Sequence, residues 1–135
     1  MTALAVPEGA AMFIVDRPSL GRLRDAIADW ARRCGITGMH AHDLVLIANE
    51  LATNVIRHGG GRGKMWLWCD DRGATCQVSD WGGGMPEPER AGTILAEPES
   101  VEGRGLWLVR RMSQHMQINS GPTGTTVTVT LGGAA

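Results

Sequence analysis

The sequence predicts an α+β fold, a two-layer α/β sandwich in which a mixed sheet carries helices on one face. Three observations predict it. Apolar residues recur at three- and four-residue intervals in some segments and alternate with polar residues in others, which indicates helices and strands respectively. These segments follow one another as strand, helix, helix, strand, strand, long loop, helix, strand and strand, an order that favours helices packed over one sheet. Glycine clusters, drawn from 19 glycines in 135 residues, separate the segments.

The first segments predict one strand and two helices. Met12-Phe13-Ile14-Val15 predicts a short strand. A helix then begins at Pro18-Ser19, and Gly35 ends it as a left-handed cap. Its apolar stripe consists of Leu20, Leu23, Ile27, Trp30 and Cys34. The second helix is predicted over residues 40–58, and the glycines that follow end it. Its core stripe consists of Leu44, Ile47, Ala48, Leu51 and Val55.

The second half of the chain predicts a hairpin, a lid and a final helix with two strands. Strands over 64–70 and 74–79 are joined by Asp71-Arg72-Gly73, a hairpin signal. Residues 84–102 contain prolines and glutamates without periodicity, which is typical of a mobile functional lid. The last predicted elements are a helix over 106–115 and strands over 116–120 and 125–131.

The length of 135 residues predicts a single domain. The first and last predicted strands place it over residues 12–131, with an N-terminal extension over 1–11 and a C-terminal tail over 132–135. The net charge of −1 and the pI of about 6.4 argue against a general nucleic-acid binder. No apolar stretch approaches the ~20 residues that span a bilayer. The N-terminus lacks the basic and apolar regions of a secretory signal. We therefore expect a cytoplasmic protein without direct nucleic-acid or membrane binding.

The cysteines predict no disulfide framework. Cys34, Cys69 and Cys76 form no C-x-x-C pair, so we expect reduced, buried thiols. His40 and His42 could join a cysteine on a zinc ion, but no second pair of ligands stands at zinc spacing. We therefore expect no structural zinc site.

A carboxylate and an amide lie one turn apart on the second predicted helix. At 100° per residue, Glu50 and Asn54 point the same way, on the shoulder between the core stripe and solvent. A carboxylate there can act as a general base, and an amide oxygen suits a hard cation such as magnesium. The alternative is an ordinary solvated helix face.

Two polar residues, Asp80 and Thr125, occupy positions that point toward the core in the predicted strands. Asp80 follows the inward alternation of its strand, and a buried carboxylate needs a donor. The exocyclic amine of adenine is one candidate, and an exposed aspartate that starts a turn is the alternative. The glycines at 82–84 let the backbone approach a flat ring or a ribose. Thr125 shares the phase of the inward valines, and a position beside Asp80 would give its hydroxyl a partner, directly or through water. The alternative is a threonine that merely suits a strand.

A second glycine cluster, Gly103-Arg104-Gly105, stands directly before a predicted helix. Free N–H groups and the positive end of the helix dipole attract phosphate at such a position. The cluster lacks the Gly-Lys-Ser/Thr ending of a P-loop and the preceding strand of a Rossmann fingerprint. Those two nucleotide-binding folds are therefore excluded, whereas nucleotide binding is not.

Both faces of the first hairpin strand are apolar. Trp66 and Trp68 face opposite to Met65 and Leu67, so that strand is not half solvated. Either loops or a partner must cover the tryptophan face. Because tryptophan is enriched at interface anchors, a docking or dimer surface is one interpretation, and simple burial is the other.

The glycine and asparagine motifs resemble those of the Bergerat-fold (GHKL) ATPases, the superfamily of gyrase, histidine kinases and MutL. The superfamily's N box resembles Glu50-Leu51-Ala52-Thr53-Asn54, and its two glycine boxes resemble Asp80-Trp81-Gly82-Gly83-Gly84 and Gly103-Arg104-Gly105-Leu106. Thr123-Gly124-Thr125 resembles its closing threonine element. The resemblance covers about residues 12–131. In its short length and in the sequence of its N box, the chain is most similar to the anti-sigma-factor serine-protein kinases of the RsbW and SpoIIAB type.

This resemblance implies an ATP site with a magnesium ion under a mobile ATP lid. It assigns Glu50 as the general base, Asn54 as the Mg²⁺ ligand and Asp80 as the adenine-binding residue. Further implied nucleotide-binding residues are Arg57, His58, Gly82, Gly84, Met85, Gly103, Arg104, Gly105, Leu106 and Thr125. Family members bind a sigma factor and phosphorylate a serine of an anti-anti-sigma partner of the STAS fold. A homodimer is also implied.

One departure leaves two functions open. Kinases of this family tend to carry a basic residue shortly before the second glycine box, whereas Val101 and Glu102 precede Gly103 here. Arg104, which lies inside the second glycine box, would have to take the place of that basic residue. The alternative to a kinase is a module that binds ATP and sequesters a partner without significant phosphotransfer. With no dimerising helix before the domain and no domain after it, we do not expect a two-component histidine kinase, a gyrase or a MutL protein.

Overall fold

A computed structural model describes residues 4–84 and 104–132, apart from the side chain of Arg104. In chain order its elements are β1 (Ala11–Asp16), α1 (Leu20–Arg33), α2 (Gly38–His58), β2 (Arg62–Asp70), β3 (Gly73–Asp80), α3 (Arg104–Met112), β4 (His115–Gly121) and β5 (Gly124–Thr130). The α+β sandwich predicted from the sequence is confirmed. Beyond Gly84, the predicted lid lies outside the described residues.

The described strands form a five-stranded sheet in the order β1-β2-β3-β5-β4, and each neighbouring pair is antiparallel. The predicted mixed sheet is therefore wrong in strand direction. The strands β3 and β4, on either side of α3 in the chain, do run the same way, but β5 lies between them and is antiparallel to both. At the other edge, two successive helices return the chain antiparallel from β1 to β2.

The described helices pack on one face of this sheet. α2 lies centrally, in contact with β1, β2, β3 and both other helices. All five members of its predicted core stripe are buried. From the sheet, the core receives Val15, Met65, Leu67, Cys76, Val78, Val127 and Val129. Burial of these apolar side chains stabilises the sandwich and fixes the face that α2 presents to the C-terminal end of β3.

The N-terminal segment covers part of the opposite face of the sheet. The Gln77 side-chain amide donates a 2.7 Å hydrogen bond to the Leu4 carbonyl, and residues 7–10 line a cavity together with Trp68. Trp68 is only 8% exposed. Of the two interpretations of the tryptophan face, simple burial therefore applies to Trp68. Met12 and Ile14, on the outer face of β1, remain about half exposed.

Two local predictions from the sequence are wrong. Helix α3 ends at Met112 rather than at residue 115, because the Gln114 N–H donates to the Thr130 carbonyl at 2.8 Å and His115 begins β4. Cys34 and Cys69 are exposed, and Cys76 alone is buried as predicted. In the part of the chain described, no helix is both long and apolar enough to cross a membrane.

Candidate functional site

The site begins on the flank of α2 that faces neither the core nor open solvent. Glu50 and Asn54 are both half-buried, beside the buried Leu51 and Val55. Their spacing of one helical turn places them on the same side of the helix, as the sequence predicts. The flank therefore presents a carboxylate and an amide at the boundary of the core.

The end of α2 is a glycine turn that leads directly into the sheet. The N–H groups of Gly59 and Gly61 both donate to the Val55 carbonyl at 3.0 Å. Gly60 and Gly61 have φ of +82°, a left-handed conformation that favours glycine. The chain then enters β2, where Gly63 pairs with Asp80. The turn thus places the last residues of α2 beside the end of β3.

Asp80 ends β3 and is anchored by two backbone groups. Its Oδ1 atom accepts hydrogen bonds from the N–H of Gly82 at 2.9 Å and of Thr125 at 3.1 Å. The carboxylate is half-buried and has the core-facing phase of buried Cys76 and Val78. Both hydrogen bonds found from described residues go to Oδ1, so Oδ2 retains its capacity to accept a bond from a ligand.

Three glycines allow separate backbone segments to close around Asp80. A Cβ atom on Gly59 would collide with the Asp80 carboxylate at Oδ2, and one on Gly124 would collide with the Asp80 carbonyl oxygen. A Cβ on Gly82 would lie 2.9 Å from the Cα and carbonyl carbon of Gly59. The neighbouring backbone and the Asp80 carboxylate already fill the space that each Cβ would take, so these residues form a close-packed glycine cradle around Asp80.

The β4–β5 hairpin completes this end of the site. Thr125 is buried, and its hydroxyl lies 2.7 Å from the Ser120 hydroxyl, its cross-strand partner. The predicted contact between Thr125 and Asp80 is therefore made by the backbone N–H, while the hydroxyl bonds to Ser120. Gly84, with φ of +88°, packs so closely on the hairpin that a Cβ there would collide with the Gly121 carbonyl.

Sequence reasoning missed Ser120 and the closeness of Gly59 to Asp80. The signal for Ser120 was available in the short turn between Gly121 and Gly124, because a turn of known length fixes the register of the hairpin. No comparable signal exists for Gly59, since its contact with Asp80 depends on how α2 packs on the sheet.

The second cluster of the site joins α2 to the start of α3. A Cβ on Gly105 would collide with the Oε2 atom of Glu50, so the first turn of α3 lies directly against that carboxylate. The first N–H groups of a helix lack intrahelical partners and carry the positive end of its dipole. A carboxylate and an anion-attracting helix terminus therefore share one side of the site.

The other predicted site residues have different surroundings. Arg57 and His58 are exposed on the last turn of α2, and Leu106 is buried in the core. Met85 and Gly103 lie outside the described residues, and Arg104 is described only as the first residue of α3. Asn54 lies on α2 between Glu50 and Gly59, about one turn from each, and so connects the two clusters.

Together the clusters offer distinct chemistry at successive places along α2. Asp80 provides an acceptor beside walls without side chains, which suits a flat ring that carries a hydrogen-bond donor. Farther along, an amide oxygen, a carboxylate and a helix N-terminus suit a hard cation and an anionic group. The arrangement fits a ligand that has a donor-bearing ring at one end and phosphates at the other.

Comparison with known proteins gives a family and a fold. A family model described as "Histidine kinase-like ATPase domain" matches residues 15–131. Among solved structures, the histidine kinase domain of a blue-light activated histidine kinase from Erythrobacter litoralis EL346 is similar, with 20% identity and a TM-score of 0.55. The alignment covers 82% of this chain and 59% of that chain. At this identity the likeness concerns the fold alone. No curated protein matches the chain.

Proposed function

The chain belongs to the histidine kinase-like ATPase family, and we propose that it is an ATP-binding anti-sigma regulatory factor with serine/threonine-protein kinase activity. Its substrate would be an anti-anti-sigma partner of the STAS type, and its other partner a sigma factor. The family supports an ATP-binding, kinase-like function. The sequence resemblance to anti-sigma serine-protein kinases supports the finer assignment, which implies a cytoplasmic protein.

The observation that carries the proposal is the acceptor left at Asp80. Oδ1 is occupied by two backbone donors, and Oδ2 borders the glycine cradle built by Gly59, Gly82 and Gly124. An exocyclic amine of adenine would satisfy Oδ2, and those glycines let the backbone pack closely enough to hold the carboxylate in place. A guanine would present a carbonyl oxygen to the same acceptor, so the site favours adenine.

The residues present also fit a magnesium ion and phosphates. The amide oxygen of Asn54 is the type of ligand that Mg²⁺ accepts, and this residue lies between the glycine cradle and Glu50. A bound Mg²⁺ would supply neutralisation of phosphate charge. The N-terminus of α3, beside Glu50, would orient phosphate oxygens through its free N–H groups.

Glu50 is the residue that we assign as general base. It is half-buried and lies against Gly105 at the start of α3, so it is close to where the phosphates would lie. There the carboxylate would accept the proton of a substrate serine or threonine hydroxyl as its oxygen attacks the terminal phosphorus of ATP. The proton moves to Glu50. The bond between the terminal phosphorus and the bridging oxygen breaks, and ADP leaves with the electron pair of that bond.

A second candidate function rests on the residues before the second glycine box. Val101 and Glu102 stand where kinases of this type tend to carry a basic residue. A protein without that charge would bind ATP and use it to set its affinity for a sigma factor or another regulator, with little transfer. Met12 and Ile14 on the outer face of edge strand β1 offer apolar surface for such a partner or for a homodimer.

Incubation of the full chain with γ-labelled ATP, Mg²⁺ and candidate STAS proteins tests the proposal. Label on a serine or threonine of the STAS protein supports the kinase, and a STAS variant with alanine at that position is the control. ATP binding without any labelled partner contradicts the kinase and supports the sequestering module. Absence of ATP binding contradicts both.

A further inference from the structure

Two cysteines from different layers of the fold meet at the surface. Cys34 caps the end of α1, where its N–H donates to the carbonyl oxygens of Trp30 and Ala31 at 3.0 and 3.2 Å. Cys69 is in β2, paired with Ala74 one residue before the strand ends. Both cysteines are exposed, unlike the buried Cys76.

Cys34 and Cys69 line the same two cavities at the surface. The cavities have volumes of about 290 and 350 Å³. Loss of hydration raises the pKa of the Cys34 thiol, and a hydrogen bond with the Cys69 thiol raises it further. The two thiols are therefore within interaction distance of each other.

We propose that Cys34 and Cys69 form an oxidisable dithiol, which a hydroperoxide converts into an intramolecular disulfide between α1 and β2. This inference does not rest on the proposed function. The neighbouring His40 and Asp70 line one of the cavities, and a metal site would be the other use of such thiols. Among the described residues, however, no group of three or more metal-binding side chains is arranged around an ion.

The reaction proceeds in two balanced steps. The Cys69 thiolate attacks one oxygen of the hydroperoxide and breaks the O–O bond, which gives a sulfenic acid and, after protonation, water or an alcohol. The Cys34 sulfur then attacks the Cys69 sulfur, its proton leaves with the hydroxyl as water, and the S–S bond forms. Two thiols lose two electrons and two protons, and the hydroperoxide is reduced.

The disulfide would join the helix layer to the sheet at a place far from the glycine cradle around Asp80. Along the β2–β3 ladder, Gly63 pairs with Asp80, whereas Cys69 pairs with Ala74 at the opposite end. At about 3.3 Å per residue the two ends are roughly 20 Å apart. Oxidation is therefore expected to raise the melting temperature by on the order of 10 °C, because the bond closes the loop of residues 34–69. It should leave the surroundings of Asp80 unchanged.

The test is hydrogen peroxide oxidation of the full reduced chain, followed by alkylation under denaturing conditions and intact mass measurement. We expect a monomer that has lost two hydrogen atoms and takes up one alkyl group, on Cys76, with a tryptic peptide pair that links Cys34 to Cys69. Cys76→Ala is the matched control and should lose the same two hydrogens. Cys34→Ser and Cys69→Ser should form no internal disulfide and show no rise in melting temperature.

Other outcomes overturn the inference. They are a wild-type chain in which both cysteines remain free to alkylate, separate oxidation of each to sulfinic acid, and a disulfide formed only between two chains. Because Cys34 and Cys69 are exposed, their serine variants are expected to fold. Peptide mapping of the wild-type chain decides the matter even if Cys76→Ala does not fold.

Discussion

The backbone N–H of Thr125 donates to the Asp80 carboxylate at 3.1 Å, a bond between residues 45 positions apart in the chain. It joins the first residues of β5 to the last residue of β3, two strands that are neighbours in the sheet. The bond fixes one oxygen of Asp80 and directs the other toward Gly59. The proposed adenine-binding carboxylate is thus held by the closing element of the fold rather than by its own strand alone.

Replacement of Glu50 by alanine should abolish most phosphotransfer and leave ATP binding largely intact. A positioned general base contributes about 10²–10⁴-fold to the rate, whereas Asp80 would still recognise the nucleotide. The rate of label transfer to a STAS partner and the calorimetric affinity for ATP are the two measurements. Asp25→Ala, an exposed acid on α1, is the control. Full activity in Glu50→Ala would eliminate the assigned role.

Gly105→Ala should impair phosphotransfer with little change in stability. The added methyl group would collide with the Glu50 carboxylate, whose flexible side chain can move aside at small cost. Displacing a reacting group by about 1 Å typically lowers a rate by about 10²-fold. Urea unfolding should show a change below about 1 kcal/mol, because alanine is favoured over glycine in helices.

The control for that substitution is Gly21→Ala in α1, where nothing lies near the added atom. It should leave the transfer rate unchanged and stabilise the fold by about 0.5–1 kcal/mol. Equal transfer rates in the wild-type protein and Gly105→Ala would contradict the contact between Glu50 and α3.

Gly73→Ala should destabilise the fold more than Gly35→Ala. Both glycines have positive φ, +120° and +77°, so alanine costs about 1–3 kcal/mol in backbone strain at either position. At Gly73 the methyl group would also collide with the Leu131 carbonyl and the backbone of Gly132, whereas Gly35 has open space. We expect about 3 kcal/mol or more at Gly73 from urea unfolding. Equal losses at the two positions would disprove the close packing.

Stability should fall between pH 9 and pH 12 because of Cys76. Burial raises the pKa of this thiol from 9.0 to about 12. Above pH 9 the unfolded chain loses the proton and the folded chain keeps it, so ionisation favours unfolding until the pH passes the folded pKa. The loss approaches about 1.4 kcal/mol per pH unit. Wild-type protein and Cys76→Ala should diverge in this range by urea unfolding, and parallel curves would contradict the assignment.

Local patterns predicted the helices and the core better than the connections between elements. The apolar stripe of α2 and the glycines after His58 fixed that helix, because 3.6-residue periodicity and end signals are local properties. The end of α3 at Met112 was missed, since it depends on a hydrogen bond between Gln114 and Thr130 of another strand. Strand directions were missed for a related reason, because the insertion of β5 between β3 and β4 leaves no mark on either strand's sequence.

The same distinction applies to the site and to the cysteines. Spacing along α2 predicted that Glu50 and Asn54 share a flank, and alternation predicted the direction of Asp80. The contacts of Gly59 with Asp80 and of Gly105 with Glu50 depend on packing between elements. Cys69 has the core-facing phase of β2, yet it lies near the strand end and is exposed. Alternation along a strand predicts which face of the sheet a side chain is on. It does not predict where the helices that cover that face end.

The most direct test of the proposed adenine site is a calorimetric titration of the full chain with ATP and Mg²⁺, run beside Asp80→Asn. Asparagine can keep the bonds to Gly82 and Thr125 through its oxygen, but it turns an NH₂ donor toward the donor on adenine. We predict saturable binding by the wild-type protein and an affinity about 10–100-fold lower in the variant, at an unchanged melting temperature. No binding by folded wild-type protein, or equal affinity in Asp80→Asn, would contradict the account.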